Sequence, residues 1–296
     1  MALHVLASAL SKPIGFGQSA SLDKVRPGGL RFGSSRLLLA VGSPLPPLRI
    51  RTAVAAAETR TEPLLAAGDE LKVLGTWRSP FALRVRLALN FKGLGYEYLE
   101  EDLDNKSDLL LQSNPVTKKL PVLIHNGVPI CESLVILEYI DEKFAGMGPS
   151  LLPADLYERA MARFWATYID SKLVAEWLKM FRANTDKEKA EATREAIEAV
   201  ETLEGLLLSA DGQSKKPFFG GDDPGYVDVV LAGMIAWMQG TKALCGVELL
   251  DAAKTPLLLE WTERFAELDA AKLIMPDLDN LVEFAKVKRA KMMNQN

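Results

Sequence analysis

The sequence predicts a small α/β domain followed by a larger all-helical domain. Between residues 70 and 149, short apolar stretches with strand spacing alternate with stretches of helical spacing. After Pro153 only helical spacing remains, as far as residue 292. The chain has 296 residues, and at this length two domains, each with its own hydrophobic core, are the ordinary expectation.

Seven segments define the predicted α/β domain. Pro80 occupies the favoured first position of a helix, and Gly93 suits the residue after a helix end. Asn126 and Gly127 supply a tight hairpin turn between two apolar stretches. The segments are, in order, a strand at 71–75, a helix at 81–92, a strand at 96–100, a short helix at 105–112, strands at 120–124 and 128–131, and a helix at 132–144. This order is the thioredoxin-like α/β layout.

The second domain is predicted at residues 156–296, after a linker at 150–155. Tyr157, Met161, Phe164 and Tyr168 follow one another at helical spacing and indicate one long helix. The predicted helices cover residues 157–168, 187–208, 226–239, 256–268 and 277–292.

The first 57 residues are expected to form a disordered leader, joined to the body by a linker at 58–69. The leader has seven serines, and its seven basic residues oppose the single acidic residue Asp23, so its net charge is +6. The rest of the chain has 28 basic and 38 acidic residues, a net charge of −10. A basic, serine-rich leader is typical of an organellar transit peptide. We expect import into the chloroplast stroma with processing near residues 50–57; a cytosolic protein with a disordered tail, or a misassigned start codon, are the alternatives.

The composition also argues against several partners. A body of net charge −10 repels phosphates, so we expect no nucleic-acid partner. The best apolar run, Leu37–Val41, is far below the ~18 residues that span a bilayer, so we expect no membrane partner. Cys131 and Cys245, predicted in a strand and a loop, are too few for a disulfide framework. His125, predicted in a turn, and His4 cannot form a His-based metal site or catalytic triad.

Ser79 is the candidate catalytic residue. It lies where the first strand ends and the first helix begins, and there backbone N–H groups and the positive end of the helix dipole converge. A thiolate held at that point is favoured over its thiol, and a hydroxyl can donate a hydrogen bond to it without reacting itself. A plain serine helix cap gives the same pattern. A cysteine here would have indicated disulfide or reductase chemistry.

Two further residue pairs are candidates for holding a peptide-like ligand. Pro121 follows Leu120 directly before a strand, which favours a cis bond that exposes the Leu120 backbone to a bound peptide. Glu132 and Ser133 open a helix straight after a strand. Ser133 could therefore cap that helix or bind a carboxylate there.

Together these residues, in their order and spacing, closely resemble the motifs of plant tau-class glutathione transferases. The resemblance covers roughly residues 70–290. It implies a thioredoxin-like glutathione-binding domain at 70–149 followed by an all-helical domain, and the serine that matches Ser79 contacts the sulfur of glutathione. The segments that carry it are 76–81, 105–107, 114–127, 131–134, 163–166 and 218–228.

The resemblance implies glutathione as a co-substrate, with no cofactor and no metal. In such enzymes glutathione is held by the residues that match Lys106, Lys119, Leu120, Glu132 and Ser133. The two lysines meet the glycyl carboxylate, and the Leu120 backbone pairs with the cysteinyl unit. Glu132 and Ser133 take the γ-glutamyl end.

The sequence departs from the family pattern at two positions. Thr117 stands where many relatives carry His, which could alter the glutathione subsite. Gly225 stands three residues before Asp228, where many transferases have Ser or Thr. Glycine is an acceptable helix cap and Asp228 can still bond the exposed N–H groups, so we expect the fold to be unaffected.

The resemblance also implies an acceptor pocket formed by Phe81, Leu103, Tyr168, Trp237, Phe284 and Lys291. Aromatic residues at helical spacing serve equally as core. The expected activity is conjugation of glutathione to electrophilic hydrophobic small molecules, as in detoxification and stress response, with reduction of organic hydroperoxides as a second activity. The alternative is a carrier that binds flavonoids, porphyrins or similar ligands without turnover. A homodimer is expected, with the α/β domain of one subunit against the helical domain of the other.

Overall fold

The computed structural model of the chain describes residues 69–208 and 215–293. The predicted leader at 1–57 and nearly all of the linker at 58–69 lie outside these residues. Residues 71–143 form a four-stranded sheet with three helices. Its elements are β1 (Leu71–Gly75), α1 (Pro80–Phe91), β2 (Glu97–Glu100), α2 (Asp108–Ser113), β3 (Val122–His125), β4 (Val128–Cys131) and α3 (Ser133–Lys143).

The sheet has the strand order β2-β1-β3-β4. Strands β1 and β2 are parallel, and the other neighbouring pairs are antiparallel. Side chains alternate between the two faces, and helices cover both. On one face Val73 and Leu123 belong to the main core with α1 and α3, and on the other Leu74 and Val122 pack with Leu110 of α2. The predicted thioredoxin-like arrangement is confirmed.

Residues 156–208 and 215–293 are mainly helical, as predicted. A π-helical turn at Ile169–Val174 joins the first two helices into one rod. The helices are α4 (Leu156–Tyr168), α5 (Ala175–Arg182), α6 (Asp186–Leu206), α7 (Tyr226–Ala232), α8 (Ile235–Cys245), α9 (Pro256–Ala266), α10 (Asp269–Lys272) and α11 (Leu278–Met293).

The structure differs from the predicted elements in several places, and α5 and the short α10 lie where no helix was predicted. The helix predicted at 226–239 is interrupted at Gly233, where a Cβ atom would overlap the carbonyl oxygen of Pro80. After the interruption α8 continues to Cys245, which therefore ends a helix and is not in a loop. His125, predicted in a turn, is the last residue of β3 and is buried.

The aromatic stripe of α4 faces outward. Tyr157 is 73% exposed and Phe164 is 53% exposed, whereas Ala162 and Ala166 are the buried residues of this helix. Helix α7 packs against α4. Helical spacing therefore identified the helix but not its buried face.

Asp228 fixes the start of α7. Its Oδ2 accepts the N–H groups of Gly225 at 2.8 Å and Gly220 at 2.9 Å. Its Oδ1 accepts the Phe219 N–H at 3.0 Å and the indole N–H of Trp261 at 2.8 Å. Burial raises the pKa of the Asp228 carboxyl, and these four donors oppose the rise. The bonding expected of Asp228 beside a glycine cap is present.

Candidate active site

Strand register brings the candidate segments to one end of the sheet. Leu74 of β1 pairs with Val122 of β3, which in turn pairs with Cys131 of β4. The loop leaving β1 towards Ser79, the residues just before β3, and the residues just after β4 therefore lie side by side. The end of β2 joins them, because Glu100 is in register with Gly75, the last residue of β1.

Ser79 caps helix α1. Its backbone is extended, with φ −79° and ψ 119°, and its N–H donates to the Thr76 carbonyl at 2.8 Å. The Ser79 Oγ accepts the Ala82 N–H at 3.2 Å, and Pro80 occupies the first turn. Because the oxygen serves as acceptor, the hydroxyl proton is available for donation to a ligand. The side chain is only partly buried, so a ligand can reach it.

Both domains hold the loop that precedes Ser79. The Trp77 N–H donates to the Glu100 carboxylate at 3.0 and 3.1 Å. From the helical domain, the indole N–H of Trp237 donates to the Arg78 carbonyl at 3.0 Å. Burial lowers the pKa of Arg78, and nearby acidic groups, Glu100 first, oppose this. The position of Ser79 thus depends on contacts from β2 and α8.

The two candidate lysines are linked through the loop before β3. Lys106 Nζ donates to the Lys118 carbonyl at 2.8 Å, which places it beside Lys119. Asn114 shapes this loop: its side chain donates to the Lys119 carbonyl at 3.0 Å and to Thr117 Oγ1 at 2.8 Å. Lys106 and Lys119, from two adjacent loops, therefore place two cationic side chains near the sheet end. Thr117, the departure from the family pattern, serves to close the turn.

Leu120, Glu132 and Ser133 lie at adjoining strand ends. The Leu120–Pro121 bond is cis, as predicted. Glu132 has φ 71°, in the left-handed region that a non-glycine residue rarely occupies, and such backbone conformations concentrate at functional sites. Ser133 is buried as the first residue of α3, and no side chain caps this helix start. The exposed N–H groups of α3 remain available to an anion.

Arg84 is a site residue that the sequence analysis missed. This side chain is fully buried, and the other buried side chains of α1 are all apolar. It makes a bidentate ion pair with Asp170 at 2.6 and 3.1 Å, donates to the Val230 carbonyl at 2.9 Å, and reaches Ser133 Oγ at 3.4 Å. Arg84 therefore ties α1 and the Ser133 subsite to the helical domain. The sequence signal for this site residue is a single arginine among the apolar residues around it in α1.

Three acceptor-pocket candidates lie near the Ser79 loop. The Phe284 ring packs edge-on against Trp77, with centroids 6.0 Å apart, and lies 4.4 Å from the guanidinium carbon of Arg78. Trp237 is nearly buried. Phe81 lies 4.9 Å from the Arg84 guanidinium carbon. A small apolar cavity of about 10 Å³ next to Ser79 is lined by Pro80, Val174, Trp177, Leu178, Met234 and Trp237.

The other three candidates have different surroundings. Leu103 is buried, and Lys291 is exposed on α11. Within the described part of the chain, the ring contact of Tyr168 is to Trp165, 5.4 Å away, and not to the Ser79 loop. Their assignment to the acceptor pocket stays a prediction.

The described residues offer no site for a metal. Across residues 69–208 and 215–293, no group of three or more His, Cys, Asp or Glu side chains is placed to hold an ion.

In the same residues, no helix has the length and apolar character required to cross a membrane. Burial raises the thiol pKa of both Cys131 and Cys245, so neither is an activated nucleophile.

Comparison with known families identifies both parts of the chain. Residues 69–142 match the glutathione S-transferase N-terminal domain, and residues 186–264 match the glutathione S-transferase C-terminal domain. A probable glutathione S-transferase GSTU6 of Oryza sativa subsp. japonica is 52% identical, covering 74% of this chain and 94% of the relative. Glutathione S-transferase U17 of Arabidopsis thaliana is 44% identical, covering 74% of this chain and 96% of the relative.

Solved structures give the same result. The tau-class glutathione S-transferase of mango, Mangifera indica, superposes with a TM-score of 0.69 at 45% identity, over 74% of this chain and 98% of the mango chain. The rice enzyme GST1, solved in complex with glutathione, has a TM-score of 0.68 at 40% identity, over 75% and 97% of the two chains. With its thioredoxin-like sheet, its helical domain and these relatives, the chain belongs to the tau class of the plant glutathione transferase family.

Proposed function

We propose that Ser79 donates a hydrogen bond to the thiolate of bound glutathione. The enzyme then transfers this glutathione to hydrophobic electrophiles. The observation that carries the proposal is the bonding of the Ser79 hydroxyl. Its oxygen accepts the Ala82 N–H at 3.2 Å, which leaves its proton for the sulfur. The first turn of α1 adds positive potential at the same point.

The chemical step follows from a stabilised thiolate. The thiol proton passes to solvent water first, and the sulfur lone pair then forms a C–S bond. Either a leaving group departs with its bonding electrons, or an activated double bond accepts the electrons and its carbon then takes a proton from water. Ser79 acts before the bond forms, by raising the fraction of glutathione present as thiolate. Proximity of the two bound substrates supplies the rest of the rate gain.

Three features support the proposed orientation of glutathione. Lys106 and Lys119 place positive charge at one side of the site, suited to the glycyl carboxylate. The Leu120 backbone, at the cis bond, lies between this side and the start of α3. Uncapped N–H groups at Ser133, beside Glu132, suit the γ-glutamyl end with its carboxylate and amine.

A panel of electrophiles tests this function. The purified chain is incubated with an aryl halide, an activated alkene and an organic hydroperoxide, with and without glutathione, while displacement of a fluorescent apolar ligand is recorded in parallel. We expect glutathione-dependent turnover of the aryl halide and the alkene. Tight binding of apolar ligands with no turnover of any electrophile would instead make the protein a carrier.

We also propose that the enzyme is a two-fold homodimer. Each domain has exposed apolar side chains, and contact with a second subunit would remove them from water. On the α/β domain they include Val128 and Val135, 64% and 56% exposed. On α4 they include Leu156, Tyr157 and Phe164. Exposed apolar side chains on both domains suit a closed dimer in which one subunit's α/β domain meets the partner's helical domain.

Charge on this apolar surface is expected to separate the subunits. In a protein made of residues 58–296, we expect the double variant Phe164→Glu, Val135→Glu to be monomeric. Its dimer interface would otherwise bury unpaired carboxylates. Light scattering at micromolar concentration measures the mass, with Lys187→Glu, an exposed change on α6, as the control. A monomeric parent chain would contradict the proposal.

We propose that residues 1–57 direct the enzyme to chloroplasts, on the strength of their +6 charge and serine content. Fused to a fluorescent protein, this segment is expected to carry it into plastids and to be cut near Val54–Ala57. Replacing its seven basic residues by Gln is the matched control and is expected to abolish import. Uniform cytosolic fluorescence from an uncut fusion would contradict targeting without affecting the assignment of the enzyme.

A further inference from the structure

We infer that one segment of α11 acts as a strap that limits the size of the acceptor, and that an ion pair between Lys288 and Asp104 holds the strap closed. The strap is defined here as residues 284–288. The inference rests on the proposed function, because it concerns the second substrate of that reaction.

The first contact of the strap is made by Phe284. Its ring packs edge-on against Trp77 and lies 4.4 Å from the guanidinium carbon of Arg78. Trp77 and Arg78 are the two residues immediately before Ser79. The strap therefore lies against the loop that presents the catalytic hydroxyl.

The second contact is made by Lys288, one helical turn further along α11. Its Nζ lies 2.6 Å from Asp104 Oδ2. The Lys288 side chain is 15% exposed and the Asp104 side chain is 51% exposed, so the pair is partly screened by solvent. The hydrogen bond from Lys288 lowers the pKa of the Asp104 carboxyl, which favours its ionised form. Asp104 lies in the loop after β2 that also carries Lys106.

A different face of α11 from the one that carries Phe284 and Lys288 is anchored independently of these contacts. Leu281, Val282 and Ala285 are buried, and α11 packs on α8 through this face. Arg289 donates to the Leu244 carbonyl at the end of α8. Loss of the Lys288–Asp104 pair is thus expected to loosen the strap without releasing the helix.

The strap spans the two loops that flank Ser79 on the helical-domain side. A bulky acceptor that reaches a thiolate at Ser79 along the Trp77–Phe284 contact requires Phe284 and Lys288 to move. The ion pair opposes this movement. Small acceptors need no such movement, so breaking the pair should favour bulky acceptors selectively.

A charge swap tests the inference in the full-length enzyme. Asp104→Lys, Lys288→Glu and the double variant are compared at saturating glutathione, with a single-ring aryl halide and a three-ring aryl halide as acceptors. We expect each single change to raise the kcat/KM ratio of large to small acceptor about three- to five-fold, the range set by the strength of partly exposed ion pairs. The double variant should return the ratio to the parent value.

Lys286→Glu is the matched control, because Lys286 is on the same helix and its ion pair among the described residues is with Glu283 of α11 at 2.8 Å. Its acceptor ratio should equal that of the parent. Amide hydrogen exchange of the strap, residues 284–288, provides a readout without turnover: it should be faster in both single variants and restored in the double one. Unchanged exchange and an unchanged ratio in the single variants would overturn the strap, whereas failure of the parent enzyme to turn over any electrophile would overturn only the proposed function.

Discussion

Replacement of Ser79 by Ala is expected to lower kcat for conjugation about ten- to a hundred-fold, with little change in the KM for glutathione. This loss is smaller than the roughly 10²- to 10³-fold usual for a lost anion-stabilising donor, because sulfur accepts hydrogen bonds more weakly than oxygen. Affinity should persist, because the remaining contacts proposed for glutathione involve Lys106, Lys119, Leu120, Glu132 and Ser133. Steady-state kinetics with an aryl halide measure both constants.

Loss of a helix cap must be separated from loss of a thiolate donor. Thr185 caps α6 through the same kind of bond, with its Oγ1 accepting the Glu188 N–H at 3.2 Å. Thr185→Ala is expected to destabilise the fold by about 1 kcal/mol and to leave kcat unchanged. Ser79→Thr keeps a hydroxyl at the site and should retain most of the activity. Equal losses of kcat in Ser79→Ala and Thr185→Ala would show that Ser79 acts only as a cap.

Replacement of Asp228 by Ala is expected to destabilise the protein by about 4 kcal/mol or more. The change leaves four buried donors unsatisfied, three backbone N–H groups and the Trp261 indole. Each buried donor without a partner costs about 1–3 kcal/mol, and losses above about 4 kcal/mol are characteristic of such networks. The free energy of unfolding from urea titration measures the effect.

Two variants make the Asp228 experiment specific. Asp228→Asn keeps one acceptor oxygen but turns an amide NH₂ towards two N–H donors, so an intermediate loss of stability is expected. Asp222→Ala removes an exposed carboxylate nearby and should change the free energy of unfolding by less than about 0.5 kcal/mol. A loss of less than about 1 kcal/mol for Asp228→Ala would contradict the role assigned to this carboxylate.

Local chemistry in the sequence was sufficient to predict the α/β domain. Pro80 after Ser79 and the Asn126-Gly127 turn are short-range signals, because each acts on a few neighbouring residues, and the structure has a helix start and a hairpin at these positions. The cis bond before Pro121 has the same local origin. The candidate glutathione residues gather at one end of the sheet because each follows or precedes a strand.

Contacts between distant parts of the chain could not be predicted in this way. Arg84 is buried because it meets Asp170 and Val230, 86 and 146 positions away. Lys288 meets Asp104 across 184 positions, and nothing near either residue marks the pair. The buried face of α4 was missed for a related reason. Its aromatic residues dominate the periodic pattern, whereas its buried residues are alanines.

The pKa of the glutathione thiol bound to the enzyme reports directly on the hydrogen bond that Ser79 donates. Thiolate absorbance is titrated against pH for the parent enzyme and for Ser79→Ala, each saturated with glutathione. We predict a midpoint for the parent enzyme at least one unit below the thiol value of about 8.5, and a midpoint near that value for Ser79→Ala. Identical midpoints for the two proteins would contradict the claim that the Ser79 hydroxyl stabilises the thiolate.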